Sequence, residues 1–479
     1  MAEKTISKVV VTRLRGRWQV VVPLRCRKEA TVEIEAPHLD RGQIRGTVTV
    51  KVEGSIKLRD TVNLTSRRAR ASFLKNLRTK RISVDERVLI ALDEACRTPG
   101  PTAESRECDG GRDFSDEVPR LTLTELIDVF ARWLLIHDAA YLPILLGAIL
   151  AHRFGGDPVW LLIVAPPGGT KTEPLRSLRG IPGFYALSEL TPKTFVSGLE
   201  VPGGKDPSLL NRLQTEILVF KDFTTVLSMK RDKRSVILSH LREIHDGQFR
   251  RDFGTGVTKI WNGRVSIVAA VTPALDRHYS IFSTLGERFM QVRWHRTDEQ
   301  AGEWAINQQG QGEEIRAALS RAVKGIFDAS TNGVITLPPA MRTRVASLAE
   351  IVALARTHVG RNNYGNREIE YLPEAEANTR LSQGLAAIAK GIAALNRRNE
   401  VAEADLRDAF RVGMDCISDA RRQLLIAIIR GQDVEQIAVP RTVRDRQLEE
   451  LEALGLVEKD PTWKVTQRAG KLLDTARPI

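Results

Sequence analysis

Cysteine is scarce in this 479-residue chain, and no apolar run is long enough to span a bilayer. The four cysteines, Cys26, Cys96, Cys108 and Cys416, lie far apart and form no Cys-x-x-Cys pair. That spacing argues against a zinc site and a disulfide framework and fits a reducing compartment. The N-terminus lacks the apolar core of a signal peptide, and the longest apolar stretch, 139–151, predicts a buried helix. These absences predict a cytoplasmic protein that does not bind a membrane.

The composition is that of a globular protein with a basic surface. Hydrophobic residues make up 42% and charged residues 27%, and the length exceeds what one core supports, so we expect three or four domains. The formal charge of +13 favours a polyanionic partner. Residues 1–96 hold 21 Lys and Arg against 11 Asp and Glu, which places most of the excess there. A generally basic, solvated surface is the alternative.

The first 96 residues predict a basic, β-rich domain. Alternation of β-branched residues predicts strands between residues 7 and 58. A helix should follow from Ser66 to about Thr79, and Arg67 and Arg68 at its start are candidate nucleic-acid contacts. Residues 97–118 are polar and rich in glycine and proline, which is typical of an interdomain linker.

Alternating apolar segments predict an α/β core over residues 119–300. Short strands are expected at 159–164, 216–220, 265–271 and 289–294, with helical or irregular stretches between them, and this pattern indicates a largely parallel sheet. Residues 301–418 should then form an all-α domain. Residues 419–479 predict short helices followed by a β-hairpin, an order typical of a winged helix.

A phosphate-binding loop is the strongest motif. The segment Ala165-Pro166-Pro167-Gly168-Gly169-Thr170-Lys171-Thr172 has the spacing of GxxxxGK[ST], although Ala165 and Thr170 replace both glycines. Such a loop offers backbone N–H groups and a lysine to polyphosphate and a hydroxyl to Mg²⁺. The preceding apolar strand and the following helix fit this interpretation, which implies ATP and Mg²⁺ as cofactors. The alternative is a glycine-rich loop with an incidental lysine.

The stretch from about Trp160 to Trp294 resembles the ATPase core of the minichromosome maintenance (MCM) helicases, a branch of the AAA+ P-loop ATPases. That branch also places a small non-glycine residue before the loop lysine. The segments 197–199 and 285–289 resemble family motifs in the expected order. Between Glu243 and Pro273 the chain follows the family pattern without a gap, through Asp246, Gln248, Gly256, Asn262, Arg264, Ser266, Ala269 and Ala270.

In the family that this stretch resembles, two acids follow the strand that corresponds to residues 216–220. This chain has one acid there. Asp222 is the candidate for catalysis and, with Thr172, for holding Mg²⁺. Lys221 stands where the family has its metal-binding aspartate. Either Glu243 or Asp246 could supply the missing carboxylate, or the protein could bind ATP and hydrolyse it slowly.

Three further residues match nucleotide-sensing positions of the family. Thr272 corresponds to the residue that contacts the γ-phosphate or water, and its hydroxyl can form that bond. Arg288 corresponds to the arginine finger that reaches the nucleotide of a neighbouring subunit. Arg380 opens a long helix in the all-α domain, as in the AAA+ lid, and is a candidate for contact with the nucleotide.

Two further segments are candidate DNA contacts. Residues 249–261 predict a hairpin that resembles the pore hairpin of the family, with Arg250, Arg251 and Lys259 as its basic residues. In the C-terminal winged helix, Arg441 and Arg444 begin the helix that commonly enters the major groove. A protein contact is the alternative for the winged helix.

Together these features predict a homo-oligomeric, ring-forming DNA translocase or helicase of the AAA+ type that acts in DNA replication, including that of a mobile element. The expected partner is single-stranded or duplex DNA. One alternative is an initiator, loader or regulator that binds ATP and DNA without unwinding. Another is a DNA-binding assembly protein in which the nucleotide is structural.

Overall fold

The chain folds into two compact units, residues 1–115 and 116–479. The computed structural model describes residues 11–14, 17–23, 29–40, 43–52, 55–79, 82, 84, 86, 88–90, 120–136, 138–168, 171–198, 206, 208–254, 256–278, 288–294, 301–362, 368–372 and 374–477. The boundary between the units falls inside the segment 97–118, which is a predicted linker and lies outside the described residues.

The N-terminal unit contains an antiparallel meander of five strands, in which each strand pairs with its neighbour in the chain. Helix α1 (Arg67–Thr79) packs on the fifth strand and buries Phe73, Leu74 and Leu77 against the valines of the sheet. The sequence predicted strands between residues 7 and 58 and a helix from Ser66 to about Thr79, and the described strands reach Asn63 before helix α1. The strands are β1 (Val11–Leu14), β2 (Arg17–Pro23), β3 (Glu29–Asp40), β4 (Gln43–Val52) and β5 (Ser55–Asn63).

The second unit is built around a parallel sheet of five strands, so the prediction of an α/β fold is confirmed. The strands in chain order are β6 (Trp160–Val164), β7 (Phe184–Leu187), β8 (Ile217–Phe220), β11 (Ser266–Val271) and β12 (Phe289–Arg293). Their order across the sheet is β12-β6-β11-β8-β7, and all pairs are parallel. Strands β9 (Gln248–Asp252) and β10 (Thr258–Asn262) form a separate antiparallel hairpin, as predicted.

Helices cover the sheet and continue into a helical layer. Those of the sheet region are α2 (Leu123–Trp133), α3 (Tyr141–Leu150), α4 (Thr172–Ser177), α5 (Thr224–Leu227) and α6 (Arg231–His245). The later ones are α7 (Ala301–Asn307), α8 (Gly312–Ala329), α9 (Pro339–Ala355), α10 (Thr379–Leu395), α11 (Glu403–Asp415), α12 (Asp419–Ile429), α13 (Arg441–Ala453) and α14 (Gln467–Ala476). Two short hairpins complete the unit, β13 (Gly360–Arg361) with β14 (Ile369–Tyr371) and β15 (Val457–Asp460) with β16 (Thr462–Val465).

Both faces of the parallel sheet are buried, which explains why its strands are almost wholly apolar. Successive residues of β6 alternate between two hydrophobic clusters, with Leu161 and Ile163 in one and Trp160 and Leu162 in the other. The first cluster extends from α2 to the C-terminal helix α14. The α/β part and the helical layer therefore share one continuous core.

Helices α3 and α10 pack closely enough to require glycine at their crossing. A Cβ atom on Gly391 would lie 1.9 Å from the Gly147 carbonyl oxygen, and one on Gly147 would lie 2.5 Å from the Ile392 side chain. This contact fixes the helical layer against α3, which leads through the turn 151–154 to β6. The position of α10 relative to the sheet is thereby set by backbone contact.

The C-terminal helices and hairpin are joined to the rest of the unit by buried polar contacts. The Arg421 guanidinium bonds the Glu450 carboxylate and donates to the Ala355 carbonyl at 2.6 Å, and Arg361 Nε donates to Glu450 at 2.7 Å. Helix α14 packs along α9, where Arg344 donates to the Ala476 carbonyl at 3.1 Å. The segment 419–479 is thus an integral part of the second compact unit. Within the described residues, no helix has the length and apolar character needed to cross a membrane.

One half-buried acid, Asp408, should make the stability of the fold depend on pH. Burial raises the pKa of Asp408 on α11 to about 6, and the neighbouring Arg411 opposes that shift. Because the folded chain binds this proton more tightly than the unfolded chain, stability should fall as the pH rises through about 6. Asp408→Asn should therefore raise the melting temperature near neutral pH, and the gain should shrink as the pH falls towards about 4.

The measurement is thermal unfolding of both proteins across that pH range, with Asp474→Asn as control, since Asp474 is exposed on α14. Lower stability of Asp408→Asn at neutral pH would contradict the assignment and would mean that the ionised acid is needed as a partner of Arg411.

Candidate functional site

The phosphate-loop lysine and two other predicted residues lie at one edge of the parallel sheet. Lys171 follows β6, Asp222 follows β8 and Thr272 follows β11, and these three strands are adjacent. The carboxyl ends of parallel strands meet at the same edge, which is where open α/β sheets bind ligands. The fold thus brings together residues that are 101 positions apart in the sequence, from Lys171 to Thr272.

Lys171 is held at this edge by backbone carbonyl groups. It is only 8% exposed, and its Nζ donates to the carbonyl oxygens of Ala165 at 2.7 Å and of Val271 at 3.4 Å. The Ala165 N–H in turn donates to Val271 at 3.1 Å, which ties the loop to β11. Gly168 has a φ of +74°, a conformation that favours glycine. Pro166 is half-buried and Pro167 is exposed, whereas Gly169 and Thr170 lie outside the described residues.

The surroundings of Lys171 suit an anion. Burial lowers the pKa of its ammonium group, and the nearby Asp222 carboxylate opposes that shift. A buried cation whose partners are mostly neutral carbonyls gains from a further negative charge. Thr172 begins α4 directly after the lysine, but that helix has only six residues. The attraction for an anion therefore rests mainly on the lysine charge.

Asp222 and Thr272 are connected through Thr224. One oxygen of the Asp222 carboxylate accepts from the Thr224 N–H at 2.8 Å. The Thr224 hydroxyl accepts from the Thr272 N–H at 3.1 Å and lies 3.4 Å from the Thr272 hydroxyl. Phe223 points into the core, and its N–H donates to the Ala270 carbonyl at 2.7 Å, which fixes the register at the end of β8. Asp222 is exposed and Lys221 half-buried.

The oxygen donors at this edge fit Mg²⁺ carried by a nucleotide. Mg²⁺ binds oxygen and is commonly held by one or two protein groups together with substrate phosphates. Thr172 and Asp222 would supply those groups. No cluster of three or more His, Cys, Asp or Glu residues that could hold a metal ion occurs in the described part of the chain. Thr172 and Asp222 therefore suit a metal ion that is bound to phosphate when it arrives and that takes most of its ligands from phosphate and water.

A cavity of about 390 Å³ lies beside the phosphate loop. Its size falls in the range of small-molecule sites, and its lining is mostly apolar. Gly168 and Glu173 form the end next to the loop, and two tryptophans form part of the wall. The tryptophans are Trp133 and Trp304. The other lining residues are Leu134, Leu135, Gly302, Ala305, Gln308, Gly312, Ile315 and Arg316.

The two tryptophans of this cavity come from α2 and α7. The Trp304 indole N–H donates to the Trp133 carbonyl at 3.4 Å, which orients the Trp304 ring. Arg316 on α8 pairs with Glu173 at 3.3 Å, so a helix of the helical layer contacts the helix that follows the phosphate loop. Sequence reasoning did not identify these residues. Their separation of 171 positions, from Trp133 to Trp304, leaves no local pattern by which they could be found.

Arg288 and Arg380 lie at the opposite, amino-terminal edge of the sheet. Arg288 directly precedes β12, and both arginines line a small cavity of about 20 Å³ with Trp160, the first residue of β6. Arg288 is bound to Asp246 through Nη2 at 2.8 and 3.0 Å. The length of β6 separates the two edges by about 13 Å, estimated from a rise of ~3.3 Å per residue. The structure therefore does not bring either arginine to Lys171 of the same chain.

Glu243 also lies far from the phosphate loop. It is exposed in the last turn of α6, and the His245 ring that follows it packs on Trp160 at 5.0 Å between centroids. Asp246 ends the same helix and is occupied by Arg288. Of the acids that the sequence suggested, only Asp222 lies at the edge that carries Lys171. Glu243 as a catalytic acid stays a prediction without support from its position in this subunit.

The basic residues of the β9–β10 hairpin differ in their accessibility. Arg250 is 68% exposed and forms a long contact of 3.4 Å with Asp252. Arg251 lies 2.9 Å from His240 Nε2 and above the Phe253 ring. Burial and the Arg251 charge lower the pKa of His240 to about 4, so the imidazole is neutral and accepts from Arg251.

Lys259 is paired with Asp206 at 2.6 Å and is 23% exposed. Burial disfavours the charged form of Asp206, yet hydrogen bonds from Lys259 and Ser208 hold its pKa below the usual range. The pairing satisfies the lysine charge within the protein. The placement of Lys259 thus does not favour the predicted DNA contact, and Arg250 is the accessible cation of the three.

The helical candidates for DNA contact also divide into exposed and buried residues. Arg67 and Arg68 are exposed on α1. Arg441 is 85% exposed at the start of α13, whereas Arg444 is 8% exposed and bonds the Glu435 carboxylate. Arg444 therefore holds the segment before α13 in place, and its burial does not favour the predicted contact with DNA.

No model of a protein family matches this chain, and a comparison with curated proteins also found no match.

Proposed function

We propose that this protein is an ATP-dependent, ring-forming DNA translocase or helicase of the AAA+ type, resembling the MCM branch and acting on DNA in the cytoplasm. The observation that carries the proposal is the position of buried Lys171 beside Asp222 and Thr272, at the carboxyl edge of the sheet and next to a cavity of about 390 Å³. These features suit a nucleoside triphosphate, because a cation can bind its phosphates, an acid can bind the accompanying metal ion and an apolar cavity can hold its base.

The nucleotide binds with its phosphates along residues 165–172 and its base in the cavity. Lys171 exchanges its two carbonyl partners for β- and γ-phosphate oxygens, which are stronger acceptors for an ammonium group. The tryptophan faces of the cavity cover the base. Thr172 and Asp222 would hold a Mg²⁺ ion carried by the nucleotide, and this ion would neutralise part of the phosphate charge. Thr272 orients the attacking water or the γ-phosphate through its hydroxyl.

Hydrolysis requires a second subunit. Arg288 lies at the edge opposite to its own phosphate loop, so in the proposed ring it leaves its partner Asp246 and acts on the nucleotide of a neighbour. Arg380 lines the same cavity as Arg288, and we therefore assign it to the site of the same neighbour. A closed arrangement in which each subunit offers its loop to one side and its arginines to the other generates a homo-oligomeric ring.

DNA contacts arise from exposed cations on separate elements. Arg250 on the hairpin, Arg441 on α13, and Arg67 and Arg68 on α1 are accessible for phosphate groups. Contacts of this kind give affinity without base specificity and weaken as salt is raised. They suit a protein that moves along DNA or assembles on it.

The second candidate is an ATP-dependent initiator, loader or regulator that binds DNA without unwinding it. Lys221, next to Asp222, favours it, because a lysine in place of an acid leaves one carboxylate at the end of β8. Slow hydrolysis suits a switch better than a motor. The two candidates differ in whether duplex DNA is separated.

The test measures the ATPase rate with and without single-stranded and duplex DNA, together with strand displacement. A translocase shows DNA-stimulated hydrolysis and displacement, whereas the switch binds DNA and ATP without displacement. Lys171→Ala should weaken ATP binding about ten- to a hundredfold, because hydrogen bonds to charged groups contribute about 1.5–3 kcal/mol. Lys221→Ala is the matched control. An affinity of Lys171→Ala within about threefold of wild type would refute the nucleotide site.

A further inference from the structure

One acceptor beside the nucleotide cavity lacks a hydrogen-bond partner. Gln308 lines the cavity, and its Oε1 atom is buried with no partner among the described residues. A buried amide oxygen without a donor costs free energy and calls for an explanation. A ligand that brings a hydrogen-bond donor into the cavity would give this oxygen its missing partner.

The position of Gln308 relative to Trp304 fits the edge of a flat ligand. The Gln308 N–H donates to the Trp304 carbonyl at 3.2 Å, which continues the helical hydrogen-bonding pattern of α7 by one residue. Residues four apart on a helix lie on the same face, so the indole and the amide flank the same space. The Trp304 indole N–H is already bonded to Trp133, which leaves its ring for stacking. The Gln308 amide would then contact the edge of a flat ligand whose ring stacks on the Trp304 indole.

The polar groups around the cavity are divided between its two ends. Glu173 and Arg316 form an ion pair near the phosphate loop, and they line the cavity together with Gly168. Gln308 follows α7 and lies with the apolar wall, and its carboxamide offers both an uncharged donor and an uncharged acceptor, whereas the indoles of the lining offer only a donor. A base in the cavity would therefore have its edge read by the amide and its phosphates directed to the charged end.

We propose that Gln308 selects adenine by accepting a hydrogen bond from its 6-amino group and donating one to the ring nitrogen N7. This inference rests on the proposed function, since it assigns the base of the nucleotide bound at Lys171. Glutamine pairs with adenine in this bidentate way because the amide offers one acceptor and one donor side by side. Rotation about the terminal torsion of the side chain, which is soft, brings the oxygen to the base. A 6-oxo purine presents acceptors at both O6 and N7, so neither orientation of the amide can pair with both atoms.

The experiment compares ADP with inosine diphosphate, which differs in the 6-substituent and the protonation of the adjacent ring nitrogen, and measures both affinities by calorimetry. The full-length wild type should bind ADP about tenfold more tightly, which corresponds to one hydrogen bond of ~1.4 kcal/mol. Gln308→Ala should lower the affinity for ADP about tenfold and leave that for inosine diphosphate nearly unchanged. Gln309→Ala is the matched control, because Gln309 is the exposed neighbour and does not line the cavity.

The outcomes separate this inference from the proposed function. If neither nucleotide binds to the wild type, or if Lys171→Ala binds both as well as wild type does, the nucleotide site itself is refuted. If both bind in a Lys171-dependent way and Gln308→Ala keeps the wild-type ratio, the role of Gln308 is refuted. Equal weakening for both nucleotides would show that Gln308 only supports the packing of α7, and this result also overturns the inference. Thermal unfolding of each variant checks that it is folded.

Discussion

Arg288→Ala should lower the ATPase rate on the order of 10³-fold or more while ATP affinity stays close to that of the wild type. Arginines that act on a neighbour's nucleotide contribute on the order of 10³–10⁵ to phosphoryl-transfer rates. The substitution leaves Lys171 and the adjacent cavity untouched, because Arg288 lies at the other edge of the sheet. The variant should therefore bind ATP normally but hydrolyse it slowly. The measurements are steady-state hydrolysis and equilibrium binding on the same preparations.

The ion pair of Arg288 with Asp246 provides a control for this prediction. Removing Arg288 also leaves the 54%-exposed Asp246 carboxylate without that partner, and a structural defect could follow. Asp246→Asn weakens the same pair and keeps the arginine. If Arg288 acts on a neighbour, Asp246→Asn should keep most of the activity. If the ion pair matters only for structure, both variants should lose stability and activity together.

Mixing two inactive variants tests whether the site is shared between subunits. Lys171→Ala lacks the loop charge and retains the arginine, and Arg288→Ala has the reverse defect. A mixture at fixed total protein should recover part of the activity, since some interfaces then combine an intact loop with an intact arginine. Absence of recovery in samples that co-assemble by sizing would contradict a shared site. Full activity of a strictly monomeric preparation would rule out the ring.

The parallel strands were predictable from the sequence because they are buried on both faces. Strands β6 and β8 are uninterrupted apolar runs, β11 is apolar after Ser266, and β12 is apolar except for Gln291 and Arg293, so these strands stand out from the polar segments between them. Strand β7 was not predicted. It is short, lies at the sheet edge and is only half-buried, so its residues carry a weaker apolar signal. Its place next to β8 depends on contacts across the sheet that no local pattern encodes.

The candidate site was predictable where its residues belong to ordered motifs, and unpredictable where tertiary contact defines it. Lys171, Asp222 and Thr272 each follow an apolar strand, and the order of those strands brings them to one edge. The Trp133–Trp304 contact joins distant helices. The sequence also could not predict that Lys259 pairs with Asp206 or that Arg444 pairs with Glu435. A pattern of charges along the chain does not show which cations form ion pairs in the fold.

Asp222→Asn should abolish most ATP hydrolysis while nucleotide binding persists. Of the acids that the sequence suggested, it is the one that lies at the edge carrying Lys171, and general acid–base groups commonly contribute about 10²–10⁴ to the rate. The amide keeps the shape and still accepts from the Thr224 N–H, so the fold at the end of β8 should persist. The expected result is a rate loss of at least about a hundredfold, with a higher Mg²⁺ requirement for the residual activity.

The variant also has a consequence for Lys171 that a purely structural role would not produce. The Asp222 charge opposes the lowering of the Lys171 pKa by burial, so its loss should let that pKa fall further. ATP affinity should then decline at a lower alkaline pH in Asp222→Asn than in the wild type, because a neutral amine does not attract phosphate. Titration of ATP binding against pH measures this shift, with Asp232→Asn, an exposed acid at the start of α6, as the control. Unchanged turnover together with an unchanged pH profile would remove Asp222 from the site and would move the search for the acid to a neighbouring subunit, where Glu243 is exposed.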